Sequence, residues 1–287
     1  MPATPYTYTS PDDPARDDEG LFGPGSVTWR VMSCRIMWVA IVRALYLQAL
    51  HPRVIRGTLQ NAATITEPVD AWARLRRTRK FIEARTFGTT AEAERAGRRV
   101  RKIHEVLTGT DPDGTRYRVD DPELLLWVHC GEVASCADIA RRSGLPFSAA
   151  DLDAFVDEQR ASAELIGVDR AAAPASMAGL GAYYEEMRPK LYACEEAKQA
   201  LRLTFHPPVP DGNRVLRLGL PPVSALAFFT LPRWARHMYG RADGPLSDMA
   251  ATAGLRATRL AFSQQRLFLG AMRAIHRAET ASDTGSQ

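Results

Sequence analysis

Hydrophobic residues recur along this chain mostly at three- and four-residue spacing, the period of an amphipathic helix, and rarely alternate as in a strand. The first twenty residues are polar, rich in Pro, Asp and Thr, and expected to be disordered. FGPGS then leads into a helix capped by Ser26 that runs through WRVMSCRIMWVAIVRALYLQAL until Pro52 intervenes. A shorter helix follows Pro52. Pro68 stands at the first position of another, through DAWARLRRTRKFIEARTF, which ends at Gly88. Thr90 is the expected cap of the next helix, which contains Arg95 to Gly109, RAGRRVRKIHEVLTG, and stops at Gly109. Ala96, Val100, Ile103 and Leu107 form its expected apolar stripe. His104 lies beside that stripe, with Arg101 one turn earlier and Gly97 two turns earlier.

DPDGTRYRVDD is the clear interruption of the helical pattern, a turn with a small hairpin. Asp121-Pro122-Glu123 starts a helix through LLLWVHCGEVASCADIARRSG, and Ser148 caps one helix through SAADLDAFVDEQRASAELIG. Further helices are expected around SMAGLGAYYEEMRPKLYA and CEEAKQALRLTF. The strand-like VLRLGL, set between the proline turns HPPVP and LPPVS, stays unassigned, and a last amphipathic helix is expected over roughly Ser247 to Thr280. The pattern therefore predicts an all-α fold, a single helical-bundle domain over residues 21–280 between disordered tails at 1–20 and 281–287.

Composition narrows the function classes. Lys+Arg 37 against Asp+Glu 33 leaves a formal charge of only +4, too little for the electrostatic footprint of a nucleic-acid binder. The basic residues cluster in RLRRTRK and RRVRK, either as solvated helix faces or as a site for carboxylates or phosphates. Cys34, Cys130, Cys136 and Cys194 form no CxxC pair and fall in apolar helical patterns, so they read as reduced, buried thiols. The start of the chain lacks the basic and apolar regions of a signal peptide, and Arg35 and Arg43 interrupt the most apolar early segment. A cytoplasmic location without stable membrane insertion is expected.

No HExxH, GxSxG, P-loop or helix-opening GxGxxG occurs. What remains are polar residues inside apolar helices. His104 reads either as a ligand to the metal of a planar anionic cofactor, or as a half-buried histidine bonded to a carbonyl. His51 either caps the last carbonyls of its helix before Pro52 or projects into a cavity, with Arg43 and Gln48 upstream. In RLRRT, Arg74 and Thr78 share a face with Arg77 adjacent: a guanidinium to clamp a carboxylate or polarise oxygen, and a hydroxyl to donate, or a wet basic face. Leu125, His129, Glu132 and Cys136 share a face, and a buried His129 bonded to Glu132 is the structural reading there.

Taken in order, RALYLQALHP, RLRRT, the Arg101-x-x-His104 pair, YRVDDPELLLWVH, the helix ending in LIGV and LPRWARHMYG resemble the MpaB and latex-clearing-protein (rubber oxygenase) family from about Phe22 to Tyr239. The resemblance implies a globin-reminiscent all-α fold binding haem b between helices, with His104 as the proximal iron ligand. It implies that Arg74 and Thr78 help shape the haem pocket, and that Arg101 neighbours the ligand and serves a propionate. Members cleave isoprenoid carbon–carbon double bonds with dioxygen. The rubber-cleaving enzymes place a lysine immediately before the threonine, where it can close the distal iron site. Here that residue is Arg77, a poor iron ligand, so a lysine-closed resting state is not carried over.

The expected function is thus a haem-dependent oxygenase acting on a small apolar or isoprenoid-like substrate. Arg74, Arg77, Thr78 and His51 are its candidate catalytic residues. His104, Arg101, Arg74 and His129 are candidates for holding the cofactor, and His104 for holding the iron. The alternatives are a haem or hydrophobic-ligand binding protein of the same fold without turnover, and a cofactor-free enzyme using His51 and His129 as acid and base. The expected partners are the substrate and dioxygen, with no nucleic acid; a homodimer stays open.

Overall fold

The computed structural model describes residues 18–61, 68–206, 214–241 and 244–263, with the backbone alone at 68–72, 214–217 and 262–263. The Ser26 hydroxyl accepts from the Trp29 N–H and opens α1 (Val27–Met32), and the Glu158 carboxylate, from much later in the chain, accepts from the Val27 and Thr28 N–H groups. The long helix expected from Ser26 to Pro52 is two. The Ser33 hydroxyl and Cys34 thiol bond back to the Trp29 and Arg30 carbonyls, which competes with the helix ladder, and the chain turns before α2 (Met37–Gln48). Pro52 opens α3 (Pro52–Gln60), and α4 spans Pro68–Phe87.

The cap of α5 (Thr90–Val106) is Thr89, not Thr90. Its hydroxyl accepts from the Glu92 N–H while the Glu92 carboxylate accepts from its own N–H, a reciprocal pair unavailable to Thr90. The helix also ends earlier than Gly109, because β1 (Thr108–Thr110) pairs antiparallel with β2 (Arg116–Arg118). Gly109 faces Tyr117 so closely that a Cβ there would lie 2.2 Å from the ring. The Tyr117 hydroxyl donates to the Arg53 carbonyl, and Asp111 accepts from Arg53 and Arg56, which fastens this hairpin to α3.

The longest stretch of core follows α6 (Pro122–Arg142), which packs mainly on α2. Trp127 is fully buried, its indole N–H on the Gln48 carbonyl, in a core that also holds Tyr46, Leu47, Ile139, Phe155 and Leu231. The segment after Ser148 forms α7 (Ala149–Glu158) and α8 (Arg160–Leu165), separated at buried Gln159, whose amide donates to Thr28. Beyond α9 (Met177–Met187) and α10 (Glu195–Phe205), α11 (Arg214–Phe229) runs through Pro221 and Pro222. VLRLGL therefore lies in a helix; its alternating leucines and paired prolines hid the helical period. The chain continues through α12 (Arg233–Met238) to α13 (Pro245–Ser263), and the rest of the expected last helix lies outside the described residues, as do both tails save Asp18–Gly20. The described residues are all-α apart from the one small hairpin.

The C-terminal carbonyls of α11 are buried, and three guanidiniums satisfy them. Arg43 and Arg142 both donate to Thr230, and Arg236 donates to Phe229 and Leu231. Arg43 continues to Ser135 and Asp138, while Arg236 pairs with Asp248 at 2.8 Å. Arg236 is 0% exposed, so Arg236→Met strips the partners from these carbonyls and leaves Asp248 without its cation. We expect a loss of about 3 kcal/mol in urea unfolding, only partly restored by Arg236→Lys, since charge-assisted hydrogen bonds contribute ~1.5–3 kcal/mol each.

Candidate functional site

The helix that carries His104 buries Ala93, Ala96 and Gly97, whereas Ile103, expected in the apolar stripe, is 45% exposed. The reason lies in its neighbours. α5 packs against α4 on one side and α8 on the other, so its inward face is centred on Gly97 and His104 rather than on the aliphatic residues. Gly97 is where α8 comes closest: a Cβ there would lie 2.6 Å from the Leu165 carbonyl oxygen. At this glycine α8 fills the space beside the helix. Arg101 donates to the same carbonyl at 2.5 Å, which binds α5 to α8.

His104 is half-buried, and its Nδ1 is buried with no hydrogen-bond partner. Desolvation lowers its pKa, and the Arg74 charge on α4 adds to this against the opposing pull of Asp120. The ring is thus held in the neutral form that ligates metals. Arg74 is itself half-buried, its pKa lowered by desolvation and by Arg77, and no anion pairs with it among the described residues. Thr78 is exposed, and its hydroxyl returns to the Arg74 carbonyl at 3.2 Å; Arg77 is exposed as well. The structure brings His104 within electrostatic reach of Arg74 and of Asp120, which the sequence reading missed.

The other two histidines have different neighbours. His51 is 5% exposed and caps nothing. Its Nδ1 has no partner, its Nε2 lies 3.8 Å from Glu123, and burial lowers its pKa against the Glu123 charge. His129 does not bond Glu132, because Glu132 forms a close ion pair with buried Arg85 from α4. Burial, with the Arg85 charge beside it, pushes the His129 imidazole down to about 3. Different charges act on the three rings: Glu123, Lys190 and Arg53 on His51, Arg85 on His129, and Asp120 and Arg74 on His104. Cys34, Cys130, Cys136 and Cys194 are free thiols, as expected, with Cys34 only partly buried.

Among the described residues, no three His, Cys, Asp or Glu side chains gather as metal ligands. A metal held by His104 would take its other ligands from a bound group. A single imidazole with an unsatisfied nitrogen, and a cation without an anion, together fit a metal-bearing cofactor that carries carboxylates. Leu165 closes the Gly97 side of this helix to any bound group.

The family model described as ER-bound oxygenase mpaB/B'/rubber oxygenase, catalytic domain, matches residues 29–262. The chain belongs to this oxygenase family. No curated protein and no solved structure matches it. Among the described residues, no helix of this family member is long and apolar enough to cross a membrane. The match takes in every element that positions His104 and Arg74, from α2 to the last described turns of α13.

His129 yields a pH prediction. Unfolded, its ring takes up a proton near the ordinary value of 6.5; folded, only near 3. Between these values the unfolded chain binds the extra proton, so the stability from this residue is complete above pH 6.5 and is lost as pH falls toward 3. The slope reaches at most about 1.4 kcal/mol per pH unit. Urea midpoints at pH 7 and 4.5 should converge in His129→Gln relative to the parent; an undiminished acid loss in the variant would refute the assignment.

Gly97→Ala tests the α5–α8 seam. Its new methyl meets backbone, so we expect a loss of about 1–3 kcal/mol in thermal or urea unfolding.

Proposed function

We propose that this member of the oxygenase family is a haem b-dependent enzyme that uses dioxygen on a small apolar or isoprenoid-like substrate, by oxidative cleavage of a carbon–carbon double bond. The observation that carries this reading is the His104 imidazole, neutral and half-buried with an unpartnered nitrogen, within electrostatic reach of a guanidinium that has no anionic partner among the described residues. His104 would hold the iron, and Arg74 would neutralise a propionate. When bound, haem supplies the reducible centre at which dioxygen is activated.

The remaining work falls to side chains of the chain itself. Arg101, through the Leu165 carbonyl, fixes the rotation of α5 and so the aim of the imidazole. Burial of His104 keeps its lone pair free of a proton, and the Asp120 charge opposes that shift. Arg77, where the resemblance puts a lysine, carries a guanidinium, a poor ligand for iron. Arg77 and Thr78 stand on the exposed face of α4, with the Thr78 hydroxyl committed to the Arg74 carbonyl. His51 and His129, away from the His104–Arg74 pair, are left as buried structural imidazoles.

The test is optical. Protein reconstituted with haemin should show a Soret band that shifts on reduction with dithionite. His104→Ala should abolish the band, and Arg74→Gln should weaken haem affinity roughly tenfold or more, the value of a charge-assisted hydrogen bond. A protein that takes up no haemin under reducing conditions defeats the proposal. Oxygen uptake with a panel of apolar alkenes then reads turnover, and reducible haem with no oxygen consumption would mark a binding protein of the same fold.

A further inference from the structure

A second concavity lies away from His104. A cleft of about 580 Å³ opens between α2, the C-terminal half of α6, α9, the turn after α11 and α13. His104 neighbours Asp120, just before the N-terminus of α6, whereas the cleft is lined by residues 134–142 at the other end of that helix. Asp138 lies about 24 Å along the axis from Pro122, at 1.5 Å per residue. The cleft is thus separate from the proposed cofactor site, and the inference does not depend on the proposed function.

Its chemistry is two-sided. Leu47, Met177, Leu180 and Leu231 give it an apolar wall. Arg43, Arg141, Arg142, Arg233 and Arg256 line it against only two carboxylates, Asp138 and Asp248. Both carboxylates are engaged, Asp138 by Arg43 and Arg141, Asp248 by Arg236. Each guanidinium nitrogen of Arg43 and Arg142 is already hydrogen-bonded, to carbonyls, hydroxyls and the Asp138 carboxylate, so these two arginines contribute mainly positive potential. Arg256 is exposed at the rim and has no anionic partner among the described residues. The volume lies within the 300–1,000 Å³ of small-molecule sites.

We propose that this cleft binds an anionic amphiphile, an aliphatic or isoprenoid chain ending in one carboxylate, with the chain on the leucine wall and the carboxylate at Arg256. The positive potential of Arg43 and Arg142 beneath it favours the anion over an alcohol of equal length.

Gly181 makes the proposal testable without breaking the fold. It lines the cleft from α9, is exposed, and a Cβ added there meets nothing within 4 Å. Gly181→Leu should fill the cleft, and in a helix interior leucine is the better helix former. Titration calorimetry of the haemin-treated full chain with decanoate should show one saturable site. Arg256→Gln should weaken it roughly tenfold, Gly181→Leu should abolish it, and 1-decanol should bind at least tenfold more weakly than decanoate. The Soret band and circular dichroism should be the same in both variants as in the parent, so failure of the haem reading and failure of this one are read separately. No decanoate binding, binding that survives Gly181→Leu, or equal binding of decanol would each overturn the proposal.

Discussion

Burying the end of a helix creates a demand that the rest of this fold is arranged to meet. The last carbonyls of α11 point into the protein with no further helical turn to satisfy them. Arginines from α2, α6 and α12 supply the donors. A guanidinium suits this better than an ammonium, because its planar fork can reach a carbonyl and a carboxylate or hydroxyl at once. The geometry ties Arg43, Arg142 and Arg236 to one point and so fixes how their helices meet. Removing three cations from water is unfavourable, and each is offset by several charge-assisted hydrogen bonds. The gain lies more in the arrangement they specify than in net stability.

The proposed cofactor site depends on a second close fit. Gly97 lets α8 lie against α5 at backbone distance, and Arg101 ties the two helices through Leu165. Sequence spacing rightly placed Gly97, Arg101 and His104 on one side of a helix, but it could not say what stood opposite. The neighbour at the glycine is a backbone carbonyl, so that side of α5 is closed, and Arg74 acts on the ring from α4.

Much of the fold was legible because it is written in local signals. Ser26, Pro52, Pro68, Asp121 and Ser148 each begin a helix by their own chemistry, and Gly88 ends one. What escaped was decided by distant or competing partners. The break after α1 arises from Ser33 and Cys34 bonding backwards, which a period of apolar residues does not register. Glu132 sits one turn from His129, yet it pairs with Arg85 on another helix, a contact without a sequence signature. α11 was obscured by its prolines and alternating leucines. At the site, the facing of His104 and Arg74 emerged only from the packing of α5 on α4, while the importance of Arg236 lay unrecognised inside LPRWARHMYG.

Asp18 gives the proposed ligand helix an unusual dependence. Its carboxylate accepts the Thr90 N–H from 72 residues away in sequence and joins the local capping pair at the start of α5. Thr89 and Glu92 can close the first turn as soon as that segment collapses. Asp18 can do so only after α1 to α4 have formed a framework that brings the chain back on itself. The first turn of the helix that carries the imidazole thus rests on a carboxylate supplied from the far side of four earlier helices as well as on its own local pair.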